Sequence, residues 1–267
     1  MKMTELGPLG TRFFAYVQMR NLRTVRIGDL TRELKFTDRQ ELKLLSQLSR
    51  TGMIARVRRG LYLVPKKLPM GGKWSPGEAL ALNALMQDQG AKYQVCGPNA
   101  FNRFGFDEQM PARVYVYNNR LSGEREIGSV TFTLIKVADD RLGSTEEVKS
   151  SDGEPEIYSS RVRTLLDAVY DWSRFNSLPR GYDWIRRDLE AGKVTASDLI
   201  TITLQFGDTG TTRRMAALLE RLSVEDRLLA KLARALPESS SLIPWIPTLP
   251  KRGKIIRRWG VILNESA

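Results

Sequence analysis

The sequence contains no histidine and a single cysteine, and these absences exclude several classes of enzyme. Histidine is the commonest general base and the commonest metal ligand among side chains. Without it, Ser-His-Asp triads, Cys-His dyads and histidine-containing zinc fingers are excluded. Carboxylate metal sites and chemistry based on Lys or Glu remain open. The lone Cys96 cannot form an internal disulfide, which is typical of a reducing compartment, and we expect it to be buried as a small apolar side chain.

Long hydrophobic runs are also missing. No apolar stretch approaches the ~20 residues that a membrane-spanning helix needs, and Met1 to Glu5 lack the apolar region of a secretory signal. We therefore expect a cytoplasmic protein without a membrane partner. The hydrophobic fraction of 42% over 267 residues is enough for one large core or two smaller ones. We find no convincing catalytic set, and we expect no cofactor and no bound metal.

The positive charge is concentrated at one end of the chain. Residues 1–73 contain 16 Lys and Arg against five Asp and Glu, a net charge of +11. Residues 74–267 contain 26 against 25, a net charge of +1. A polyanion is therefore the expected partner of the first quarter of the sequence.

The local patterns of residues 1–73 predict a winged helix-turn-helix. We expect a helix over 8–21, an extended stretch over 24–27 and a second short helix over 28–34. A third helix is predicted from Thr37, which forms a capping-box pattern with Gln40, to Arg50. Two strands follow, over 54–57 and 61–64, joined by the tight turn Arg58-Arg59-Gly60.

The third helix separates apolar from polar side chains on a helical wheel. Its predicted inner face consists of Leu42, Leu44, Leu45 and Leu48. Arginine can contact guanine with two hydrogen bonds, glutamine can contact adenine, and arginine at the tip of the wing can reach phosphates or the minor groove. The residues we predict to bind DNA are Arg39, Gln40, Lys43, Ser46, Gln47, Arg50, Arg56, Arg58 and Arg59.

The remainder of the chain is predicted to be a larger, mainly helical α+β domain over residues 74–267, after a linker over 68–75. Early in this domain we expect a helix over 76–87, a strand over 93–96 and a helix over 99–104. Two strands, over 112–117 and 129–137, are predicted to pair across a polar loop. A loose stretch over 139–156 is a possible internal boundary. The predicted later elements are helices over 160–172, 181–191, 196–206, 212–222 and 225–236, and an irregular end with short strands over 242–263.

Three groups of charged residues stand out in this second region. Arg163 and Asp167 are spaced to pair along one helix face. Arg213 and Arg214 at a helix start oppose the helix dipole, which would suit a partner contact, although solvated charge is equally compatible. Lys251, Arg252 and Lys254 form a second basic cluster that could contact nucleic acid or a protein, or be a solvated tail.

The stretch 207–212 lacks the Gly-Lys-Ser/Thr ending of a phosphate loop. We expect Trp172, Trp184, Trp245 and Trp259 to pack in a core or an interface.

Residues 45–65, LSQLSRTGMIARVRRGLYLVP, resemble the end of the winged helix of AbiEi-type antitoxins from type IV toxin–antitoxin (abortive infection) systems. Gln47-Leu48 stands where that family usually has Arg-Leu. Three further segments resemble the antitoxin domain of the same family, namely Arg163–Asp167, Arg213–Glu220 and Trp259–Asn264. The resemblance implies a cognate AbiEii-like nucleotidyltransferase toxin and repression of the operon's own promoter.

Our leading hypothesis is a non-enzymatic antitoxin that also represses its own operon by binding double-stranded DNA at inverted repeats. It would counteract the toxin by direct binding or by an indirect route. One alternative is a stand-alone winged-helix regulator whose second domain senses a ligand or oligomerises. Another is an enzyme that acts on nucleic acid or on a protein partner. The sequence does not predict the oligomeric state or the operator.

Overall fold

The computed structural model describes residues 6–68, 73–238 and 241–265, which form a mixed α+β protein. The N-terminal elements are α1 Pro8–Met19, β1 Thr24–Arg26, α2 Asp29–Leu34, α3 Asp38–Arg50, β2 Ala55–Arg58 and β3 Leu61–Leu63. The central elements are α4 Glu78–Gln89, β4 Tyr93–Val95, α5 Gly97–Arg103, β5 Val114–Asn118, β6 Gly123–Ile127, β7 Val130–Lys136, β8 Thr145–Lys149 and β9 Pro155–Ser159. The C-terminal elements are α6 Arg161–Tyr170, α7 Trp172–Phe175, α8 Arg180–Glu190, α9 Ala196–Phe206, α10 Thr209–Arg221, α11 Asp226–Ala235, β10 Ile243–Pro244, β11 Lys254–Ile256 and β12 Val261–Leu263.

The chain divides into two compact units, and it passes between them several times. Unit 1 consists of Met1–Tyr93, Ala112–Val137 and Glu147–Glu156. Unit 2 consists of Gln94–Pro111, Ala138–Glu146 and Ile157–Ala267. Residues 1–73, which the charge distribution separates from the rest, therefore share unit 1 with α4 and with strands β5 to β7. The predicted division at residue 73 differs from this one because β2 packs against both α4 and β6.

Unit 1 begins with three helices packed on a small antiparallel sheet. The strand order is β1-β3-β2, with Val25 opposite Tyr62 and Arg56 opposite Tyr62 on the other side. Pro8 occupies the first turn of α1, where a missing N–H costs nothing. The core of this region contains Phe13, Phe14, Val17, Val25, Leu30, Phe36, Leu44, Leu45, Leu48, Met53, Ile54, Tyr62 and Val64.

The rest of unit 1 includes α4 and a second group of strands. β5 and β7 pair in parallel, with Val114 opposite Phe132, and β6 pairs antiparallel with the far side of β7. Of the predicted linker, residues 69–72 lie outside the described residues. The residues after them are held within unit 1, because the Trp74 N–H donates to the Gly52 carbonyl at 2.7 Å.

Unit 2 is mainly helical, and α6 lies at its centre. Seven consecutive residues of α6, Arg163–Val169, are buried, so this helix is enclosed on all sides. It packs against α5, α7, α8, α9 and α10. Near the C-terminus, β12 pairs with β11 antiparallel and with β10 in parallel. The Tyr182 ring stacks on Trp245 at 3.8 Å between ring centroids.

Two expectations about secondary structure were wrong. The predicted polar loop over 118–128 contains strand β6, and the predicted loose stretch over 139–156 contains β8 and the start of β9. The strands predicted over 112–117 and 129–137 pair as expected, and they run parallel because β6 reverses the chain between them. The helices predicted within residues 1–73 and within residues 74–267 are confirmed, as are the β2–β3 hairpin and the burial of Cys96.

Candidate nucleic-acid interface

Helix α3 begins with the predicted capping box. The Gln40 N–H donates to Thr37 Oγ1 at 3.3 Å, and the Thr37 N–H donates to Gln40 Oε1 at 2.9 Å. Two N–H groups that a helix start leaves without a helical partner are thereby satisfied. The side-chain oxygen of Gln40 is therefore used at the helix start, whereas the cap does not use its side-chain N–H donors.

The polar face of α3 is exposed along its length, as the sequence predicts. Leu44, Leu45 and Leu48 are buried beneath it. Leu42 is 50% exposed, so its assignment to the inner face was wrong. It lies at the edge of the apolar stripe, and Glu41 occupies the inner position instead. The predicted DNA-binding residues are all exposed: Arg39, Gln40, Lys43, Ser46, Gln47, Arg50, Arg56, Arg58 and Arg59.

Glu41 is a buried carboxylate that sequence analysis missed. It is 1% exposed and accepts hydrogen bonds from the N–H groups of Gly28 and Leu30, each at 2.9 Å. The Thr31 hydroxyl donates a third bond at 2.9 Å. Carboxylates at a helix N-terminus are favoured by the helix dipole, so Glu41 joins α3 to the start of α2. The sequence did indicate this burial: on a helical wheel, Glu41 lies between Leu44 and Leu45 of the inner face.

The β2–β3 hairpin lies in the same unit and carries three of the predicted arginines. Gly60 in its turn has φ +86°, which favours glycine. Arg56 and Arg59 are exposed and form no ion pair with another described residue. Within 39–59 the only acidic residue is the buried Glu41, so every exposed charged side chain in this range is basic. The exposed Asp38, at the first position of α3, lies just outside this range and accepts from the Thr31 hydroxyl at 3.3 Å. We call this surface, from Arg39 to Arg59, the basic face.

Arg58 differs from its neighbours because it has an internal partner. Its Nη2 donates to Asp88 Oδ1 of α4 at 2.8 Å, and Arg26 Nη2 lies 2.9 Å from the same oxygen. The Asp88 side chain is 2% exposed. The hydrogen bond from Arg58 lowers the pKa of Asp88 to about 2, against the opposing effect of burial. Arg58, which was predicted to bind DNA, is thus tied to α4 by Asp88, although its side chain is still 42% exposed.

Two arginines of unit 2 that were expected as contact candidates are internal. Arg213 and Arg214 are 6% and 8% exposed. Arg213 donates to the carbonyls of Trp259 at 2.6 Å and Ser241 at 2.5 Å, and Arg214 donates to the Pro244 carbonyl at 3.2 Å. Burial lowers the pKa of Arg214. These guanidinium groups hold the C-terminal segment on α10. Few of their N–H donors are therefore left for a partner. Lys251, Arg252 and Lys254 are exposed, as expected for either interpretation.

The predicted pair of Arg163 and Asp167 is confirmed and fully buried. Arg163 Nε donates to Asp167 Oδ1 at 2.9 Å, and Arg163 Nη2 donates to the Arg141 carbonyl at 2.8 Å. Burial raises the pKa of the Asp167 carboxyl, and the positive charge of Arg163 opposes that effect. The Arg163 guanidinium also lies over the Phe206 ring, 4.0 Å from its centroid. This cluster is enclosed and internally satisfied, which is the arrangement of a structural ion pair.

The remaining expectations concern tryptophans, metals and membranes. Trp184, Trp245 and Trp259 are buried, and Trp172 is half-buried. The described residues contain no group of three or more Cys, Asp or Glu side chains placed to hold a metal ion. Over the same residues, the helices lack the length and apolar character required to cross a bilayer.

Comparison with known proteins gives a fold and no family. No family model matches the sequence, and no curated protein matches it. Among solved structures, the chain is similar to the crystal structure of the RV2827C protein from Mycobacterium tuberculosis, with a TM-score of 0.58 and 15% sequence identity. The similarity covers 96% of this chain and 92% of that chain. At this identity it shows a shared fold only.

Proposed function

We propose that unit 1 binds double-stranded DNA through the basic face, with α1 to β3 acting as a winged helix-turn-helix. The observation that carries the proposal is the placement of Arg39, Lys43 and Gln47 on an exposed helix face that contains no exposed carboxylate. The opposite side of α3 is held in the core by leucines. A helix with one buried apolar side and one exposed cationic side suits insertion into the major groove.

The order of elements supports the same proposal. Helices α2 and α3 are followed directly by the β2–β3 hairpin, which is the order of a winged helix. Glu41 joins the two helices from inside, so the orientation of α3 on α2 is held by three hydrogen bonds. Arg56 and Arg59 on the hairpin extend the positive surface beyond the helix.

Salt dependence of DNA binding by the full chain tests the proposal. If about six phosphates are contacted, the slope of log K against log salt should be on the order of −5. Fluorescence anisotropy with a duplex from the protein's own promoter, between about 50 and 200 mM salt, measures this slope. A flat response would contradict the proposal. An unrelated duplex of equal length separates sequence preference from general attraction.

We further propose that the protein is an antitoxin that represses its own operon, with an AbiEii-like nucleotidyltransferase as the toxin. The support is the resemblance of four segments to AbiEi-type antitoxins. Three of these segments contribute to the interior of unit 2: Arg163 and Asp167 pair within α6, and Arg213 of α10 donates to Trp259. These residues serve the fold, so they support a shared architecture and do not indicate a contact surface.

Separating repression from neutralisation tests this second proposal. Arg59→Glu reverses a charge on the basic face at a residue without an internal ion pair, whereas Arg58→Glu would place a new carboxylate against Asp88. We expect Arg59→Glu to weaken promoter repression and still to rescue cells that express the proposed nucleotidyltransferase toxin. Arg187→Glu, at an exposed position of α8 in unit 2 without an ion pair to another described residue, is the charge-matched control. If wild type represses but does not rescue, a stand-alone regulator is the better description.

A further inference from the structure

A polar cleft of about 640 Å³ opens in unit 1 where α3 ends. Arg50 and Arg56 line it from the end of α3 and from β2, and Lys73 lines it from the segment before α4. Glu126 of β6 and the serines Ser75 and Ser129 are also part of the polar lining. All of these residues belong to unit 1. Lys73, Ser75 and Ser129 were not among the residues that sequence analysis selected.

The cations of this cleft are not neutralised within the fold. Arg50, Arg56 and Lys73 are exposed, and none forms an ion pair with another described residue. Glu126 is the single carboxylate of the lining, so the cleft carries a formal charge of +2. Several other arginines of unit 1 are paired, among them Arg23 with Glu154 at 2.6 Å, and Arg26 and Arg58 with Asp88. The cleft is thus a place where positive charge is left for an external anion.

Hydrogen bonds hold the walls of the cleft in place. The Trp74 N–H donates to the Gly52 carbonyl at 2.7 Å, which fixes the segment after Lys73 against the end of α3. The Ser129 N–H donates to Ser75 Oγ at 2.8 Å. Gly128 has φ +64°, and a Cβ there would lie 2.5 Å from Ser75 Oγ, so only glycine permits this approach. The cations therefore project from a defined surface.

We propose that this cleft binds a backbone phosphate of the same duplex that α3 contacts, which adds Lys73 to the DNA interface. The inference rests on the proposed DNA binding of unit 1. Arg50 belongs both to the exposed face of α3 and to the cleft, so the two surfaces are continuous. Arginine, lysine and hydroxyl donors are the groups that contact phosphate, and such contacts position a protein without reading sequence.

The exposure of the cations favours a phosphate of a macromolecule over a small ligand. Sites for small molecules bury most of the ligand surface. Here each of the three cations is exposed, so a free phosphate compound would stay largely solvated. A duplex held by α3 brings its phosphates to the cleft at no further cost in translational entropy.

The experiment compares full-length Lys73→Gln with Arg125→Gln. Arg125 lies on β6 next to Glu126, but it is absent from the cleft lining and donates to the Glu124 carbonyl. Anisotropy with the promoter duplex and with an unrelated duplex should show that Lys73→Gln weakens both roughly 3- to 10-fold. The salt slope should fall by about 1. Arg125→Gln should change affinity less than about two-fold, and Glu126→Gln should tighten binding of both duplexes.

The outcomes distinguish the two proposals. If wild type binds with a steep salt slope but Lys73→Gln behaves like Arg125→Gln, the cleft assignment is wrong and DNA binding stands. If wild type shows no salt-dependent binding, both are wrong. A third arm titrates pyrophosphate and follows tryptophan fluorescence, with Trp74→Phe as the control for the signal. Pyrophosphate binding that Lys73→Gln abolishes, with DNA binding unchanged, would reassign the cleft to a small phosphate compound. Circular dichroism establishes that each variant is folded.

Discussion

Arginines of the basic face and arginines inside unit 2 are used in opposite ways. Arg39, Arg50 and Arg56 are exposed and form no ion pair with another described residue. Arg163 and Arg213 are buried and donate to a carboxylate or to backbone carbonyls. Arginine has five N–H donors and no acceptor, so a buried guanidinium needs several internal partners. An exposed guanidinium that has no carboxylate nearby still has its N–H donors available for an external anion.

This comparison explains why charge alone is a poor guide to a binding surface. Arg213-Arg214 and Arg58-Arg59 are both basic pairs in the sequence. The first pair is enclosed, whereas in the second pair Arg58 is tied to Asp88 and Arg59 has no such partner. Only one of these four side chains, Arg59, is thus exposed without an ion pair to another described residue.

The largest effect expected on stability is that of Asp167→Ala. The change leaves Arg163 buried without its carboxylate, which should cost about 3–5 kcal/mol of the free energy of unfolding. Urea unfolding followed by circular dichroism measures the loss. Asp183→Ala is the control, because the Asp183 side chain is 62% exposed in its pair with Arg186, and it should cost less than about 1 kcal/mol. If both variants lose the same unfolding free energy, buried arginine pairs stabilise the fold no more than exposed ones, and the comparison drawn above is wrong.

A smaller effect, on binding, is expected for Arg39→Ala. If Arg39 contacts a base, the change should cost roughly 1–3 kcal/mol of DNA binding and reduce preference for the promoter duplex. Stability should change by only about ±0.5 kcal/mol, because the side chain is exposed. Lys43→Ala should behave similarly if it contacts a base. Anisotropy on promoter and unrelated duplexes measures both quantities. A loss of stability instead of binding would place Arg39 among the structural arginines.

The next effect is a pH dependence of stability that comes from Asp88. Its pKa falls from 3.8 to about 2 in the folded protein, so the ionised form is favoured by folding. The stabilisation is therefore present above about pH 4 and is lost as the pH falls towards 2. Its size is about 1–2 kcal/mol after allowance for the exposure of Arg26 and Arg58 to solvent.

Comparing wild type with Asp88→Asn by urea unfolding tests this dependence. The difference in unfolding free energy should be largest near pH 6 and should shrink at low pH. Asp198→Asn, an exposed acidic residue in the cap of α9, serves as a control for general acid effects. A difference that stays constant with pH would show that the ionised Asp88 carboxylate does not stabilise the fold.

The smallest effect is expected for Leu42→Gln, and it separates the two sides of α3. Leu42 is 50% exposed, so the change should cost less than about 0.5 kcal/mol. Leu45→Ala, at a fully buried position, should cost about 2–5 kcal/mol. Thermal or urea unfolding of the two variants compares them directly. A large loss for Leu42→Gln would mean that α3 is rotated relative to the structure.

Much of the basic face could be predicted because its signals are local. Thr37 and Gln40 are three residues apart, and their reciprocal hydrogen bonds form within one helical turn. The alternation in 54–57 and 61–64 around Arg59-Gly60 likewise depends on neighbours in sequence. The exposure of Arg39, Lys43 and Gln47 then follows from the burial of the leucines on the other side.

The features that the sequence did not predict have a different cause. β6, Gly123–Ile127, is exposed at its first four residues and has no apolar alternation, so nothing in its composition marks a strand. It is a strand because β7 offers hydrogen-bonding partners from Gly123–Leu134 to Ile127–Val130. The same holds for the partnership of Arg58 with Asp88, which are 30 residues apart. Propensity cannot find such features, because distant parts of the chain supply the partners.

The amino-acid sequence by itself determined the helices with strong apolar periodicity, the cap of α3, the position of the hairpin and the concentration of charge in residues 1–73. These properties depend on interactions within a turn or two, which any window of sequence contains. Only the tertiary structure decided which arginines remain exposed, that Glu41 lies buried beneath α2, and that Lys73 joins Arg50 and Arg56 in one cleft. The physical reason is that the neighbours of a charged side chain in space decide whether it is solvated or paired within the fold. Those neighbours come from segments that are far apart in the sequence.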